Sequence, residues 1–322
     1  MGEKILLPQD IAQCGKDYLL ERGYEIKIGD GISEEEIVRN VKDCSAIIAR
    51  LGNYNRKVLE AGEHLRVIAR HGAGFDNIDL YAAQEKEIWV TYDPVSNGNA
   101  VAEHTVAMLM GIAGSLAEMD YAVRVGDFEI RNRKKTLEIE GKTLGIIGYG
   151  RIGRMVAKKA REGLGMKILV YDRYLPRGER AKTASSVEEV LERSDFVSLH
   201  MPLTDDTRGM IGRQELMAMK PGAVLINTAR GELVKEKELI EALRKGIIAG
   251  AALDVFEQEP PDIENPLLSM KQVLLSPHNA ALTENAMNKM AMTAARAVDS
   301  VLSGKIPEYV VLEGKLPSVQ IS

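Results

Sequence analysis

Short apolar runs rich in β-branched residues alternate with helix-like segments along this chain, and that alternation limits the fold more than any other feature. In the first hundred residues the runs are Ile5-Leu6-Leu7, Tyr24-Glu25-Ile26-Lys27-Ile28, Ala46-Ile47-Ile48-Ala49, Val67-Ile68-Ala69 and Trp89-Val90-Thr91. Between them lie helical patterns such as Ser33 to Val38, where Ser33 followed by Glu36 has capping-box spacing. A second series begins near Gly141: Leu144 to Ile147, Ile168 to Tyr171, Phe196 to Leu199, Val224 to Ile226, Ala251 to Leu253 and Val273 to Leu275. Strands alternating with helices predict βαβ crossovers, and near-continuous apolar strands predict parallel sheets covered on both faces. The pattern therefore predicts two doubly wound α/β domains, with no internal repeat. The stretch Ala100 to Val125 predicts one long helix between them, apolar at Val101, Val106, Ala107, Met110 and Ala113, leaving a cleft between the domains. A helix after Glu284 runs through Met292 and Val298, and Tyr309-Val310-Val311 reads as a short final strand.

Composition narrows the classes of function. With 322 residues, 45% hydrophobic and 28% charged, the chain can bury a core without covalent staples. Lys plus Arg total 42 against 47 Asp plus Glu, a net charge of -5, which argues against a general nucleic-acid binder. Cys14 and Cys44 are the two cysteines, with no CxxC and no Cys/His ligand spacing, so neither a disulfide framework nor a metal site is expected. Met1 to Pro8 lacks the apolar core of a signal peptide, and no apolar run reaches membrane-spanning length. The expectation is a cytoplasmic protein without a membrane partner.

The strongest local signal is Gly148-Tyr149-Gly150-Arg151-Ile152-Gly153. By itself a GxGxxG is a weak signal, since a glycine-rich turn reads the same way. Here it follows the run Thr143 to Ile147 and opens an amphipathic helix through Val156, Ala157, Ala160 and Leu164. Asp172 follows the next run, which ends at Tyr171, and stands 24 residues after Gly148. In a dinucleotide site Gly148 permits the tight turn, Gly150 removes a side chain that would block the pyrophosphate, and Gly153 lets helix and strand pack closely. The helix N-terminus, at Arg151 and Ile152, offers free N–H groups to the phosphates. Asp172 would accept from the adenosine ribose hydroxyls, and a carboxylate there repels a 2′-phosphate, favouring NAD over NADP. Arg173 qualifies that preference, because a neighbouring Arg can accommodate the phosphate.

A nicotinamide enzyme also needs a group that moves a proton and a cation that holds the substrate anion. Of the five histidines, His278 follows the apolar run Val273 to Leu275, and His200 follows Phe196 to Leu199. Both occupy strand ends, where ligands of open α/β sheets bind. Arg230, in Asn227-Thr228-Ala229-Arg230-Gly231, and Glu259, in Asp254-Val255-Phe256-Glu257-Gln258-Glu259-Pro260, stand at strand ends too. Surface ion pairs are the common fate of such residues.

Five ordered motifs carry a resemblance that spans nearly the whole chain. They are Arg70 to Asp79, Gly148 to Gly153, Asn227 to Gly231, Ala252 to Phe256, and Pro277-His278. The chain resembles the D-isomer-specific 2-hydroxyacid dehydrogenases, most closely the D-3-phosphoglycerate dehydrogenases that lack a C-terminal regulatory domain. The resemblance implies Arg230 as the residue that binds substrate carboxylate and carbonyl, His278 as the acid/base, and Glu259 as its carboxylate partner. It further implies Asp254 at the nicotinamide carboxamide, Thr228 and Ala229 lining the cofactor site, backbone N–H groups of Ala73 and Gly74 on the substrate carboxylate, and Arg50 as a second anion-binding Arg.

The implied architecture is a Rossmann NAD-binding domain over 101–283, inserted into a flavodoxin-like substrate-binding domain made of 1–100 and 284–322. The implied activity is interconversion of a D-2-hydroxy acid and its 2-keto acid with NAD, with D-3-phosphoglycerate and 3-phosphohydroxypyruvate as the first pair and a homodimer through the nucleotide-binding domains as the assembly. Two departures bear on substrate identity. His278 is followed by Asn279-Ala280-Ala281 where many relatives have an aliphatic residue and then glycine, and Arg50-Leu51 replaces the usual Arg-Ser. The alternatives are a glyoxylate, hydroxypyruvate or other 2-keto acid reductase. From another class comes an NAD(H)-sensing binding protein, since this fold also serves as a corepressor; no added interaction tail is expected at either end.

Overall fold

The computed structural model describes residues 2–175 and 182–316. The chain divides into two compact units, one made of Met1–Asn97 with Leu282–Ser322, the other of Gly98–Ala281. The first unit opens with β1 (Lys4–Leu7), α1 (Gln13–Leu20), β2 (Glu25–Ile28), α2 (Glu34–Val41), β3 (Ala46–Ala49), α3 (Arg56–Ala61), β4 (Val67–Arg70), α4 (Leu80–Glu85) and β5 (Trp89–Thr91). The second carries α5 (Gly98–Ala113), α6 (Leu116–Arg124), α7 (Ile130–Arg133), β6 (Thr143–Ile147), α8 (Arg151–Leu164), β7 (Lys167–Tyr171), β8 (Lys182–Thr183) and α9 (Val187–Arg193). It continues through β9 (Phe196–Leu199), α10 (Arg213–Ala218), β10 (Val224–Asn227), α11 (Glu236–Arg244), β11 (Gly250–Leu253) and β12 (Val273–Leu275). Finally α12 (Glu284–Leu302) and β13 (Val310–Leu312) return to the first unit.

Each unit is a doubly wound sheet, as the run pattern predicts. The first sheet has the order β13-β5-β4-β3-β1-β2, parallel throughout except for β13, which pairs antiparallel with β5. Without β13 this is the flavodoxin-like order, and its direction reverses between β1 and β3. The second sheet runs β12-β11-β10-β9-β6-β7-β8, all parallel, with its reversal between β6 and β9. The inner strands β3, β9, β10 and β11 are buried throughout because helices cover both faces. Separate apolar clusters flank the first sheet, one around Ile37, Tyr54 and Ile68, the other around Leu7, Ile48 and Val298. Two more flank the second, around Leu199, Leu225 and Leu243 and around Ile146, Val156 and Ile226.

Helix starts follow their local chemistry. The Ser33 side chain accepts from the Glu36 N–H while Glu36 reaches back to the Ser33 N–H, the reciprocal box that the spacing predicts. One helix differs from expectation. The segment Ala100 to Val125 is not continuous: α5 stops at Ala113, α6 starts at Leu116, and the two are bent by 61°. Gly114 and Ser115 make the break, with Ser115 left-handed at φ 48°. Glycine and serine both favour caps over helix interiors, so the period-3.6 apolar pattern continues across a point where the backbone does not. Among the described residues no single helix is long and apolar enough to cross a membrane.

Candidate active site

The glycine loop lies at the reversal of the second sheet, between the ends of β6 and β9, where ligands of open α/β sheets bind. Its three glycines are required for different reasons. Gly148 has φ 92°, and a Cβ there would meet the His200 carbonyl carbon at 2.6 Å. Gly153 is buried, and a Cβ would collide with the Gly148 carbonyl oxygen. Gly150 is exposed at φ -72°, with no heavy atom within 4 Å of a Cβ position. Packing thus explains the first and third glycines, whereas the second faces open space at the start of α8. The N-cap residue Gly150 supplies no side-chain cap, and the first turn lies at Arg151, Ile152 and Gly153. The positive end of a 14-residue helix suits a diphosphate.

Asp172 stands just past β7. Its carboxylate accepts from the Tyr149 N–H at 2.6 Å and the Tyr174 N–H at 2.8 Å. A carboxylate has about four acceptor sites, so the glycine loop is tied to Asp172 with capacity remaining. Arg173 is paired with Asp206 at 3.2 Å, both side chains exposed. A helix N-terminus, an open Gly150 and a half-buried carboxylate fit a dinucleotide. We expect Gly150→Ala to keep the wild-type melting temperature but weaken NADH binding at least about tenfold, because only the incoming phosphate meets its methyl group. Gly148→Ala should lower the melting temperature instead. Calorimetry and fluorescence titration separate the two; equal effects of both variants on stability would contradict this division of roles.

The proton-transfer candidates come together at the other strand ends of the same unit. His278 follows β12, and its Nδ1 is 2.6 Å from Glu259 Oε2. The other Glu259 oxygen, Oε1, accepts from the Phe256 N–H at 3.1 Å, so both ends of the carboxylate are fixed. Burial alone would raise the Glu259 pKa, but the His278 hydrogen bond and charge, the Phe256 N–H and the Arg230 charge outweigh it and hold it below the usual value. Arg230 leaves β10 in extended backbone at φ -145°, its carbonyl accepting from the Asn227 side-chain amide at 2.7 Å. Its Nη1 donates to the Ala229 carbonyl at 2.8 Å. Gly231 then packs so closely on the Phe256 carbonyl that no larger residue fits. His200, the rival histidine, bonds Ser198 Oγ through its Nε2 at 2.8 Å, and burial lowers its pKa to about 4.

Thr228 and Asp254 are already engaged within the unit. Thr228 Oγ1 is 2.8 Å from Thr105 Oγ1 of α5, and the residue is buried. Asp254 is fully buried. Its Oδ1 accepts from the Asn279 N–H at 3.0 Å and its Oδ2 from the Ala280 N–H at 3.1 Å, while its carbonyl accepts from the His278 N–H at 2.7 Å. His278 itself is left-handed at φ 49°. A left-handed non-glycine residue costs roughly 1–3 kcal/mol, and hydrogen bonds to a charged group contribute about 1.5–3 kcal/mol each. The Asp254 contacts are therefore sufficient to hold that turn.

In the first unit Arg50 lies past β3, at the sheet's reversal point. Its Nη1 donates to the Asp10 carbonyl at 2.6 Å, and burial lowers its pKa. Ala73 and Gly74 sit in a loop clamped by Arg70, whose Nε donates to the Gly74 carbonyl at 2.5 Å and whose Nη1 donates to the Ala49 and His71 carbonyls. Sequence reasoning did not single out Arg70 as a clamp; a side chain at the end of β4 that turns back over its own loop has no spacing signature.

These features define a dinucleotide-binding α/β unit carrying a carboxylate-oriented histidine and a strand-end arginine. Residues 106–280 match the family described as D-isomer specific 2-hydroxyacid dehydrogenase, NAD binding domain. The chain is 39% identical over 308 residues to a D-3-phosphoglycerate dehydrogenase of Methanocaldococcus jannaschii, covering 94% of this chain but 58% of that protein's length. It is 40% identical over 287 residues to a glyoxylate reductase of Korarchaeum cryptofilum, covering 87% of this chain and 86% of the other. The crystal structure of an NADPH-dependent glyoxylate/hydroxypyruvate reductase from Sinorhizobium meliloti superposes with a TM-score of 0.89 at 27% identity, over 99% of this chain and 100% of that one. The chain belongs to the D-isomer-specific 2-hydroxyacid dehydrogenase family.

Proposed function

We propose that the chain is an NAD-dependent oxidoreductase interconverting a D-2-hydroxy acid and its 2-keto acid, with D-3-phosphoglycerate and 3-phosphohydroxypyruvate as the pair. The observation that carries the reading is the His278–Glu259 pair at 2.6 Å, beside Arg230, in a unit whose glycine loop is open at Gly150. The loop Gly148 to Gly153 would hold the pyrophosphate, Asp172 the ribose, and Thr228, Ala229 and Asp254 the nicotinamide end. When bound, NAD supplies the hydride acceptor. His278 takes the hydroxyl proton at Nε2, since Nδ1 is held by Glu259. Arg230 anchors the carboxylate and stabilises the carbonyl oxygen as charge develops on it. In the other unit, the N–H groups of Ala73 and Gly74 are assigned to the substrate carboxylate by the family resemblance. Arg50, anchored at one nitrogen by Asp10, suits a phosphate.

NAD rather than NADP follows from Asp172, not from the relatives, one of which is named NADPH-dependent. NADPH should bind at least about tenfold more weakly than NADH, because the Asp172 carboxylate repels a 2′-phosphate. Equal affinities would place the preference elsewhere. Similarity to glyoxylate reductases supports a second reading of the substrate, as does Leu51, which supplies no hydroxyl next to Arg50. A kcat/KM for 3-phosphohydroxypyruvate at least tenfold above that for glyoxylate is the expected result on the first reading, and the reverse order supports the second.

We further propose a homodimer through the segment 116–137. It exposes Leu116, Tyr121, Val123, Val125, Phe128 and Leu137, each at least 49% accessible. Apolar side chains clustered this densely mark an interaction surface. Phe128→Asp should shift the mass in light scattering from dimer to monomer, with the fold retained. A wild-type monomer contradicts the assembly.

A further inference from the structure

The carboxylate of Asp254, which holds the backbone of residues 278–280, is itself held by a chain of two side chains that begins on α5. Ser276 Oγ is 2.6 Å from Asp254 Oδ1, and His104 Nε2 is 2.9 Å from Ser276 Oγ. His104 Nε2 also lies 3.4 Å from Asp254 Oδ1. Ser276 Oγ donates its single proton to Asp254 Oδ1, which leaves its oxygen to accept from a proton carried on His104 Nε2. The chain His104 to Ser276 to Asp254 thus joins residues 104, 276 and 254 and ends on the turn in which His278 stands left-handed.

We infer that His104 and Ser276 are positioning residues, which fix the Asp254 carboxylate and, through it, the orientation in which His278 is presented for proton transfer. The inference rests on the acid/base reading of His278. Neither side chain is assigned a contact with substrate or cofactor; both act through Asp254. His104 is partly buried and joins an ordered hydrogen-bond chain, so its ring serves orientation here.

Ser276→Ala and His104→Leu break the chain, whereas Ser276→Thr and His104→Gln keep a hydroxyl and an N–H donor. In the cofactor-free protein, backbone amides of Asn279 and Ala280 should exchange about ten- to a hundredfold faster in Ser276→Ala, the loss of one charge-assisted hydrogen bond. The kcat for keto-acid reduction should fall by a similar factor with NADH affinity within about threefold, Ser276→Thr should restore most of it, and the double variant Ser276→Ala/His104→Leu should be little worse than either single one, as expected for residues that act as a unit. Unchanged amide exchange, a kcat within twofold of wild type, additive losses in the double variant, or a loss that follows NADH affinity alone would each overturn the inference. His278→Asn is the control: if it retains wild-type turnover, the acid/base reading has failed; if it is inactive while Ser276→Ala is not, only the positioning role has.

Discussion

Replacing His278 by Asn should lower kcat for keto-acid reduction by about a hundredfold to ten-thousandfold, the usual contribution of a positioned acid/base. NADH affinity should stay within about threefold, because the glycine loop and Asp172 lie at other strand ends and do not depend on the imidazole. Asparagine is the informative choice. It tolerates left-handed backbone, so the turn at φ 49° survives and the loss is chemical, not conformational. His278→Ala, by contrast, adds backbone strain to the loss of the proton carrier. Stopped-flow measurement of NADH oxidation separates a slower chemical step from slower product release. A near-normal rate would remove His278 from the reaction.

The second large effect is expected at Arg230. Arg230→Gln should lower kcat/KM by about a hundredfold to a thousandfold, the cost of removing one stabiliser of a developing oxyanion. Lysine should rescue little, because a point charge cannot reproduce a planar fork that engages carboxylate and carbonyl together. The loss should fall on kcat as well as KM, since a group that only bound the ground state would raise KM alone. Arg230 is set in place by the Asn227 amide on its carbonyl at 2.7 Å and by the close packing of Gly231 on Phe256. Gly231→Ala should therefore impair catalysis and stability together, whereas Arg230→Gln should leave the melting temperature nearly unchanged. Equal melting temperatures for both variants would show that Gly231 is not the constraint.

Much of this was legible in the sequence for identifiable reasons. The strands of both sheets announce themselves because parallel strands buried on two faces must be continuous apolar runs, as β3, β9, β10 and β11 are. The two-residue β8 is too short and too exposed to leave such a trace. The glycine loop was legible because Gly148 and Gly153 are each demanded by the backbone that surrounds them, and the capping box at Ser33 because its partners are three residues apart. The bend at Gly114-Ser115 was missed because the apolar periodicity of α5 continues into α6 while the helix axis does not. The choice of His278 over His200 could not be made from strand-end position, which the two share. What separates them is tertiary: Glu259 reaches one, while burial and Ser198 occupy the other. The support of Asp254 by Ser276 and His104 left no spacing signal either, since its members lie on α5 and past two different strands and meet only after the sheet forms.

The central claim, that this chain reduces 2-keto acids to D-2-hydroxy acids with NADH, is tested most directly by the chirality of the product. The purified chain, with saturating NADH and 3-phosphohydroxypyruvate or hydroxypyruvate, should oxidise NADH and yield a single enantiomer, the D form, by chiral chromatography. A chain that binds NADH yet oxidises none of it with either keto acid, or that yields L or racemic product, would contradict the account.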